Sequence, residues 1–474
     1  MCCAKRLPDV MGFQRKKKDM LVGLVDADLI DGGTRHPNLA LLKIAGFLYE
    51  NQVKFELITD PDCDIRRYQH IYMSKVFTFT KEPRFYTEAT TKQKQKFHIG
   101  GTGYYANEKR TKVFKEKREK DMGQLERDPF LSTLTNTLGS KGILMARQMP
   151  YYDLYKEYIE EQVELGVNRN RFKDYERYSI GFLTRRCVRH CPFCVNRLEN
   201  GVIKYSKLEW FYDKSRPYVY FWDDNFFAAD YKVWKPILQD LINKRIVFQF
   251  RQGLDERQFA ENEHGEEMAE MLSRARYHGD YIFAFDNWKD RPIIEKALKV
   301  WKKYNPKAWT KFYLFCGFKQ RKNDKEAFYR DYWELFQRIK LLMQYRCVGY
   351  VMRHADYRNA PIPNIYVQIA RWCNQQQFYK KMSFWEYLYR NQSYWEEHIT
   401  PPIKRQRLMS FEAFEADLKA GLYDVNGGSI KLCLPLRSFL KMLEMFPAHR
   451  TEILEMANYK MSNLVNPQLW EKHL

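Results

Sequence analysis

No run of about 18 consecutive apolar residues occurs, so no membrane-spanning helix is expected. The opening "MCCAKRLPDVMGFQRKKKDM" has no apolar core of the kind a secretory signal needs. Its run Arg15, Lys16, Lys17, Lys18 reads as a basic leader over residues 1–19. Two glycine turns, in "DGGTRHPN" and "FHIGGTGYY", fail to complete G-x-G-x-x-G, so both read as turns and not as phosphate cradles. Cys2, Cys3, Cys63, Cys316, Cys347, Cys373 and Cys433 show no paired spacing of a disulfide framework or of a second metal site. A reducing, cytoplasmic compartment is the simplest expectation.

What is present is apolar, aromatic and basic. Hydrophobic residues are 45% of 474, enough for packed cores, which excludes a disordered chain. Aromatics reach 16%, which suits aromatic cores or stacking surfaces equally. The net charge is +21, spread along the chain with basic stretches at 15–18 and 109–120. It fits either a polyanionic partner such as nucleic acid or a solvated lysine-rich surface.

The order of elements is legible. "MLVGLVDADLI" (20–30), "VKFELIT" (53–59), "HIYMSKVFTF" (70–79) and "FHIGGTGYY" (97–105) read as strands, with a helix over 39–52. Strand–helix–strand at this spacing means a parallel α/β unit. The charged stretch 107–128 reads as an exposed helix or insertion. A strand over 176–187 then begins a second series, followed by strands in 218–228, 246–257, 280–288, 311–318 and 347–357. Helices are expected at 231–245, 268–279, 291–304 and 327–345. Six strands fall short of the eight of a closed barrel, so an open, partial barrel is expected. Polar residues gather at strand ends: Arg185 and Arg186, Asp223 to Asn225, Arg251 and Gln252, Asp286 and Asn287, Arg353 and His354. Sites in parallel α/β folds lie at that edge. Residues 358–474 read as a mostly helical C-terminal region.

"CVRHCPFC" crowds three cysteines into eight residues, as Cys187-x3-Cys191-x2-Cys194. Crowded thiolates bind soft metals, and zinc and iron–sulfur clusters are the two candidates. A structural zinc site normally takes four ligands, yet no second pair follows. His190 lies in the same short loop and would complete a tetrahedron only with strain. Three thiolates on a four-iron cluster leave one iron open, and an open metal position is where chemistry happens.

This motif, following a strand and opening a strand–helix series with Phe193 ahead of its last cysteine, resembles the radical S-adenosylmethionine (SAM) superfamily over about residues 175–357. The resemblance implies a partial (β/α)6 barrel and a [4Fe–4S] cluster on Cys187, Cys191 and Cys194. It implies SAM chelated at the open iron, reductive cleavage to a 5′-deoxyadenosyl radical, and an electron donor such as flavodoxin or ferredoxin. Phe193 is expected beside the adenine. Asp223-Asp224-Asn225-Phe226 replaces the commoner Gly-Gly-Glu and resembles the version found with N-terminal cobalamin-type domains. Asp223 or Asp224 is expected to hold the SAM ammonium. Arg251 and Gln252 are expected at its carboxylate, and Asp286 at ribose or substrate.

Residues 20–165 resemble the Rossmann-like domain of cobalamin-binding relatives. Asp31 and His36 stand at a different spacing from their Asp-x-His-x-x-Gly loop, so cobalamin is not expected. Asp26, Asp28 and His36 read as loop and helix-cap residues. Arg371, Trp372, Cys373 and Asn374 suggest no chemistry and read as core. The expected function is thus a radical SAM iron–sulfur enzyme on an unidentified substrate, with nucleic acid the first guess. The alternative is a metal-stabilised nucleic-acid-binding protein without turnover.

Overall fold

The structure, a computed structural model, describes residues 20–121, 124–134, 145–397, 409–424 and 430–471; the basic leader 1–19 lies outside them. The chain divides into two compact units: Met1–Trp234 with Asn243–Gln252, and Lys235–Ile242 with Gly253–Leu474.

In the first unit β1 (Leu21–Asp26), β2 (Lys54–Leu57), β3 (His70–Ser74) and β4 (Phe97–Gly100) form a wholly parallel sheet, order β2-β1-β3-β4. Both faces are covered, as a parallel sheet requires. On one face Leu41, Ile44, Ala45 and Leu48 of α1 (Leu39–Glu50) join Val22, Leu24 and Tyr72 in a core. On the other, Val25, Ile58, Tyr68, Ile71 and Met73 pack with Phe85. Asn38 starts α1 by accepting from the amides of Ala40 and Leu41.

All four strands are shorter than expected, and for β1 and β3 the reason is electrostatic. β1 stops at Asp26, whose carboxylate accepts from Leu29 N and caps a short helix, Ala27–Gly32. β3 stops at Ser74 because Asp28 accepts from the amides of Val76 and Phe77, at 2.7 and 3.2 Å, and turns the chain. The charged stretch forms α2 (Thr111–Asp121), which is not exposed all round: Phe114 is fully buried.

The rest of the first unit carries β5 (Tyr178–Gly181), β6 (Thr184–Arg185), β7 (Ile203–Lys204), β8 (Tyr218–Phe221) and β9 (Phe248–Phe250). β5, β8 and β9 form a parallel sheet in the order β5-β8-β9, while β6 and β7 pair antiparallel. The expected single strand 176–187 is therefore broken after Gly181. A Cβ at Gly181 would sit 2.3 Å from the Phe211 ring, so the close packing here needs glycine.

α3 (Tyr231–Asn243) connects β8 to β9. In the second unit β10 (Tyr281–Ala284), β11 (Thr310–Cys316) and β12 (Val348–Arg353) form a second three-stranded parallel sheet, order β10-β11-β12. Helices α4 (Gly265–Arg274), α5 (Arg291–Tyr304) and α6 (Lys325–Gln344) alternate with these strands. α5 buries Ile294, Ala297, Leu298 and Trp301, the i, i+3, i+4, i+7 stripe of an amphipathic helix. The protein is thus mixed α/β with parallel sheets.

Beyond β12 come helices at Pro363–Cys373, Phe384–Glu397, Phe411–Lys419, Leu434–Met445 and Arg450–Ala457, with a two-residue strand pair at Tyr423–Asp424 and Ile430–Lys431. Trp372 and Cys373 are buried. The Asn374 amide accepts from Val351 N at 2.6 Å and donates to Val351 O at 3.1 Å, serving β12 as a neighbouring strand would. Among the described residues no helix is long and apolar enough to cross a membrane.

Candidate functional site: the cysteine loop

The loop between β6 and β7 carries Cys187, Cys191 and Cys194, none in a disulfide and all partly exposed. Cys194 N donates to Cys191 O at 2.9 Å and closes the turn between them. Two sulfurs accept hydrogen bonds from nearby amides. Arg189 N approaches Cys187 Sγ at 3.3 Å, and Asn196 N approaches Cys194 Sγ at 3.4 Å. His190 turns away, its Nδ1 lying 3.2 Å from Arg197 O. Among the described residues no group of three or more His, Cys, Asp or Glu side chains is placed to hold a metal ion as it stands.

The end of β8 holds this loop. Asp223 is 1% exposed. Its Oδ2 accepts from Leu183 N at 3.0 Å, and its Oδ1 from both Thr184 N and Thr184 Oγ1 at 2.6 Å. Burial pushes its carboxyl up to about 7 even against these three donors. Asp224 reaches both flanks of the motif. Oδ2 accepts from Arg186 N at 2.8 Å, just before Cys187, and Oδ1 from Asn196 Nδ2 at 2.9 Å, just after Cys194. Asn225 Nδ2 lies 3.4 Å from Cys187 Sγ. Arg186 has a φ of +78°, a conformation costly outside glycine, and Asp224 is what holds it there. Asp223 and Asp224, expected above at the SAM ammonium, both accept hydrogen bonds from the loop and so position it.

A second ring of contacts comes from α2. Glu199, 5% exposed, pairs with Arg118 of α2 and with Arg186 Nε at 3.3 Å. Arg197 stacks over the Phe114 ring at 3.8 Å and donates to Glu108 O at 2.9 Å. Sequence reading missed Arg118, Asn196, Arg197 and Glu199. The one signal was Asn196, a polar side chain two residues past the last cysteine.

The other candidates fall into two places. Arg251, past the end of β9, lies over the Tyr220 ring at 5.0 Å and 3.9 Å from Asp174, which also pairs with His36 at 2.8 Å. Gln252 is exposed, and Phe193 partly so. Asp286 belongs to the second unit. Its Oδ1 accepts from Phe315 N at 3.2 Å, and burial raises its pKa. Beside it the buried Arg338 donates to the carbonyls of Phe285, Asp286 and Phe315 at 2.8, 3.1 and 3.0 Å.

No protein-family model matches this chain, and no curated protein is similar to it.

Proposed function

We propose that the chain is a radical SAM enzyme, with a [4Fe–4S] cluster held by Cys187, Cys191 and Cys194. In this reading β5, β8, β9, β10, β11 and β12 are the six strands of a partial (β/α)6 barrel. Residues 20–165 are then a Rossmann-like domain that does without cobalamin. The observation that carries the reading is the cysteine loop itself. Three thiols are crowded and partly exposed, and two of their sulfurs accept amide hydrogen bonds of the kind that stabilise thiolate ligands.

Cys187, Cys191 and Cys194 would hold the cluster, which when bound would supply the single electron needed for reductive cleavage of SAM. The chain's own residues then have distinct tasks. Asp224 fixes the two ends of the loop, and Asp223 fixes its approach. Asn225 donates towards the Cys187 sulfur. Phe193, Arg251 and Gln252 are left to meet SAM. Arg251 would offer a guanidinium already oriented by Asp174 and Tyr220.

The test is an anaerobic iron and sulfide count. Reconstituted protein is expected to hold about four irons per chain, and Cys187→Ala, Cys191→Ala or Cys194→Ala to lose them, while Cys373→Ala does not. With a low-potential reductant the loaded protein is expected to form 5′-deoxyadenosine from SAM. Full iron retention in the triple variant would remove the assignment.

A further inference from the structure

We propose that residues 75–84, the loop after β3, are a docking platform for single-stranded nucleic acid. This deepens the proposed function by naming a substrate class. Only the claim that the bound strand is the substrate rests on that function; the binding surface does not.

The loop exposes apolar area in one place. Val76, Phe77 and Phe79 are 40%, 48% and 79% exposed. The two rings are stacked, with centroids 5.3 Å apart and planes 13° from parallel. Single exposed apolar residues are ordinary, but a contiguous group marks a contact surface. The loop is firmly built. The buried Asp28 accepts from Val76 N, Phe77 N and the Thr80 hydroxyl. Asp31 accepts from Lys81 N at 3.1 Å. The turn after β4 closes over it, with Thr102 Oγ1 donating to Val76 O at 2.8 Å and Gly103 N to Lys75 O at 2.9 Å. A Cβ at Gly101 would lie 2.3 Å from Lys75 O, and the φ there is +109°, so glycine is required. Two aromatic rings are thus held out in water by an ordered scaffold.

Position and charge say what covers them. In the order β2-β1-β3-β4 the chain leaves β1 to one side and returns on the other, so the loops after β1 and β3 border the switch point. Ligands of open parallel sheets bind at that crevice. Lys75 pairs with Glu82 at 3.3 Å and the exposed Arg84 with Asp62 at 3.6 Å, while Lys81, close to the rings in the chain, and Arg35, after β1, are exposed cations. Gly101 N donates to Asp121 at the end of α2, at 2.7 Å. The exposed side of α2 carries Lys112, Lys115, Lys117 and Lys120 against Glu116 and Glu119, a net positive face, while Phe114 and Arg118 meet the cysteine loop. Exposed cations thus stand both near the phenyl pair and on the helix that meets the cysteine loop, within one unit. Offset rings beside cations are the stacking platform and electrostatic track that single strands use. A lipid surface would need apolar area but no π faces.

The experiment is fluorescence anisotropy of a labelled oligouridine and oligothymidine with the full chain at several salt concentrations. Binding is expected to weaken with salt. Phe77→Ala and Phe79→Ala should each weaken it roughly ten-fold. Phe79→Trp should preserve binding, whereas Phe79→Leu should weaken it as Ala does. Leu165→Ala, at another exposed apolar site, should change nothing. The chain should bind alike before and after iron reconstitution, so a failed iron count and a failed platform are told apart. The proposal is overturned if no oligonucleotide binds at the lowest salt, or if Phe79→Leu binds like wild type. Capture by phosphatidylcholine–phosphatidylglycerol vesicles without oligonucleotide binding would overturn it in favour of a membrane.

Discussion

At the C-terminal edge of β5-β8-β9, Asp223 and Asp224 accept hydrogen bonds from a loop that leaves the sheet, whereas at the edge of β10-β11-β12 the polar groups bond back into the sheet. There Arg338 donates to three strand-end carbonyls, Asp286 accepts from Phe315 N, and Asp331 accepts from Gly317 N and from the Tyr366 hydroxyl at 2.7 and 2.6 Å. Both edges use buried charge as a fastener. Only the first fastens something that stays partly exposed and carries soft ligands. Charged residues at strand ends are therefore weak indicators of ligand contact, because the same residue types also close the edge of a sheet.

The largest expected effect lies in the second unit. Arg338→Met removes a buried cation that lies near Asp286 and Asp331, and takes its hydrogen bonds from three carbonyls. It should cost about 3–5 kcal/mol in urea unfolding. A loss below the usual scatter of surface substitutions would break the view that this edge is fastened by Arg338.

Asp223→Ala should cost about 1–3 kcal/mol, because Leu183 N, Thr184 N and the Thr184 hydroxyl lose their acceptor. Its signature should be local. Hydrogen exchange should quicken across 183–198 and not across β10, β11 and β12. Uniform acceleration in both sheets would erase the contrast between the edges.

A pH comparison sharpens it further. Glu256 is buried, accepts from Ala284 N at 3.1 Å, and is pushed by burial up to about 8. In the unfolded chain the same carboxyl ionises near its ordinary value of about 4.3. Its stabilising contribution is then fully present below that value and is lost as pH rises towards 8. One group can account for a slope of at most about 1.4 kcal/mol per pH unit. Glu256→Gln should flatten the fall of stability between pH 5 and pH 8; an unchanged slope would count against a neutral buried carboxyl.

The smallest effect is at Asn374→Ala, which strips β12 of its side-chain neighbour and should cost about 1 kcal/mol by thermal or urea unfolding. Iron content should not move. A changed iron count would tie the "RWCN" segment to chemistry that its burial gives no reason to expect.

Much of the architecture was legible because periodicity is a property of the chain itself. The α5 stripe and the run "LVGLVD" declare their elements without help. The ends of elements were less so. β1, β3 and the strand before the cysteines all run shorter than their apolar runs, because Asp26, Asp28 and Asp223 capture nearby amides and turn the backbone. The cysteine spacing was visible at once, and so were the polar strand ends. The partners of those ends were not: Asp224 meets Asn196, 28 positions away, and Arg118 reaches Glu199 from a helix that reads as merely charged.

By itself the sequence determined where the main parallel strands and their helices lie and that three thiols crowd one loop, since both follow from local spacing. Only the tertiary structure decided that Asp223 and Asp224 grip that loop, that α2 lies on it, and that Phe77 and Phe79 stand in water. Such facts depend on which distant donor or ring occupies the adjoining space, and no local pattern encodes that.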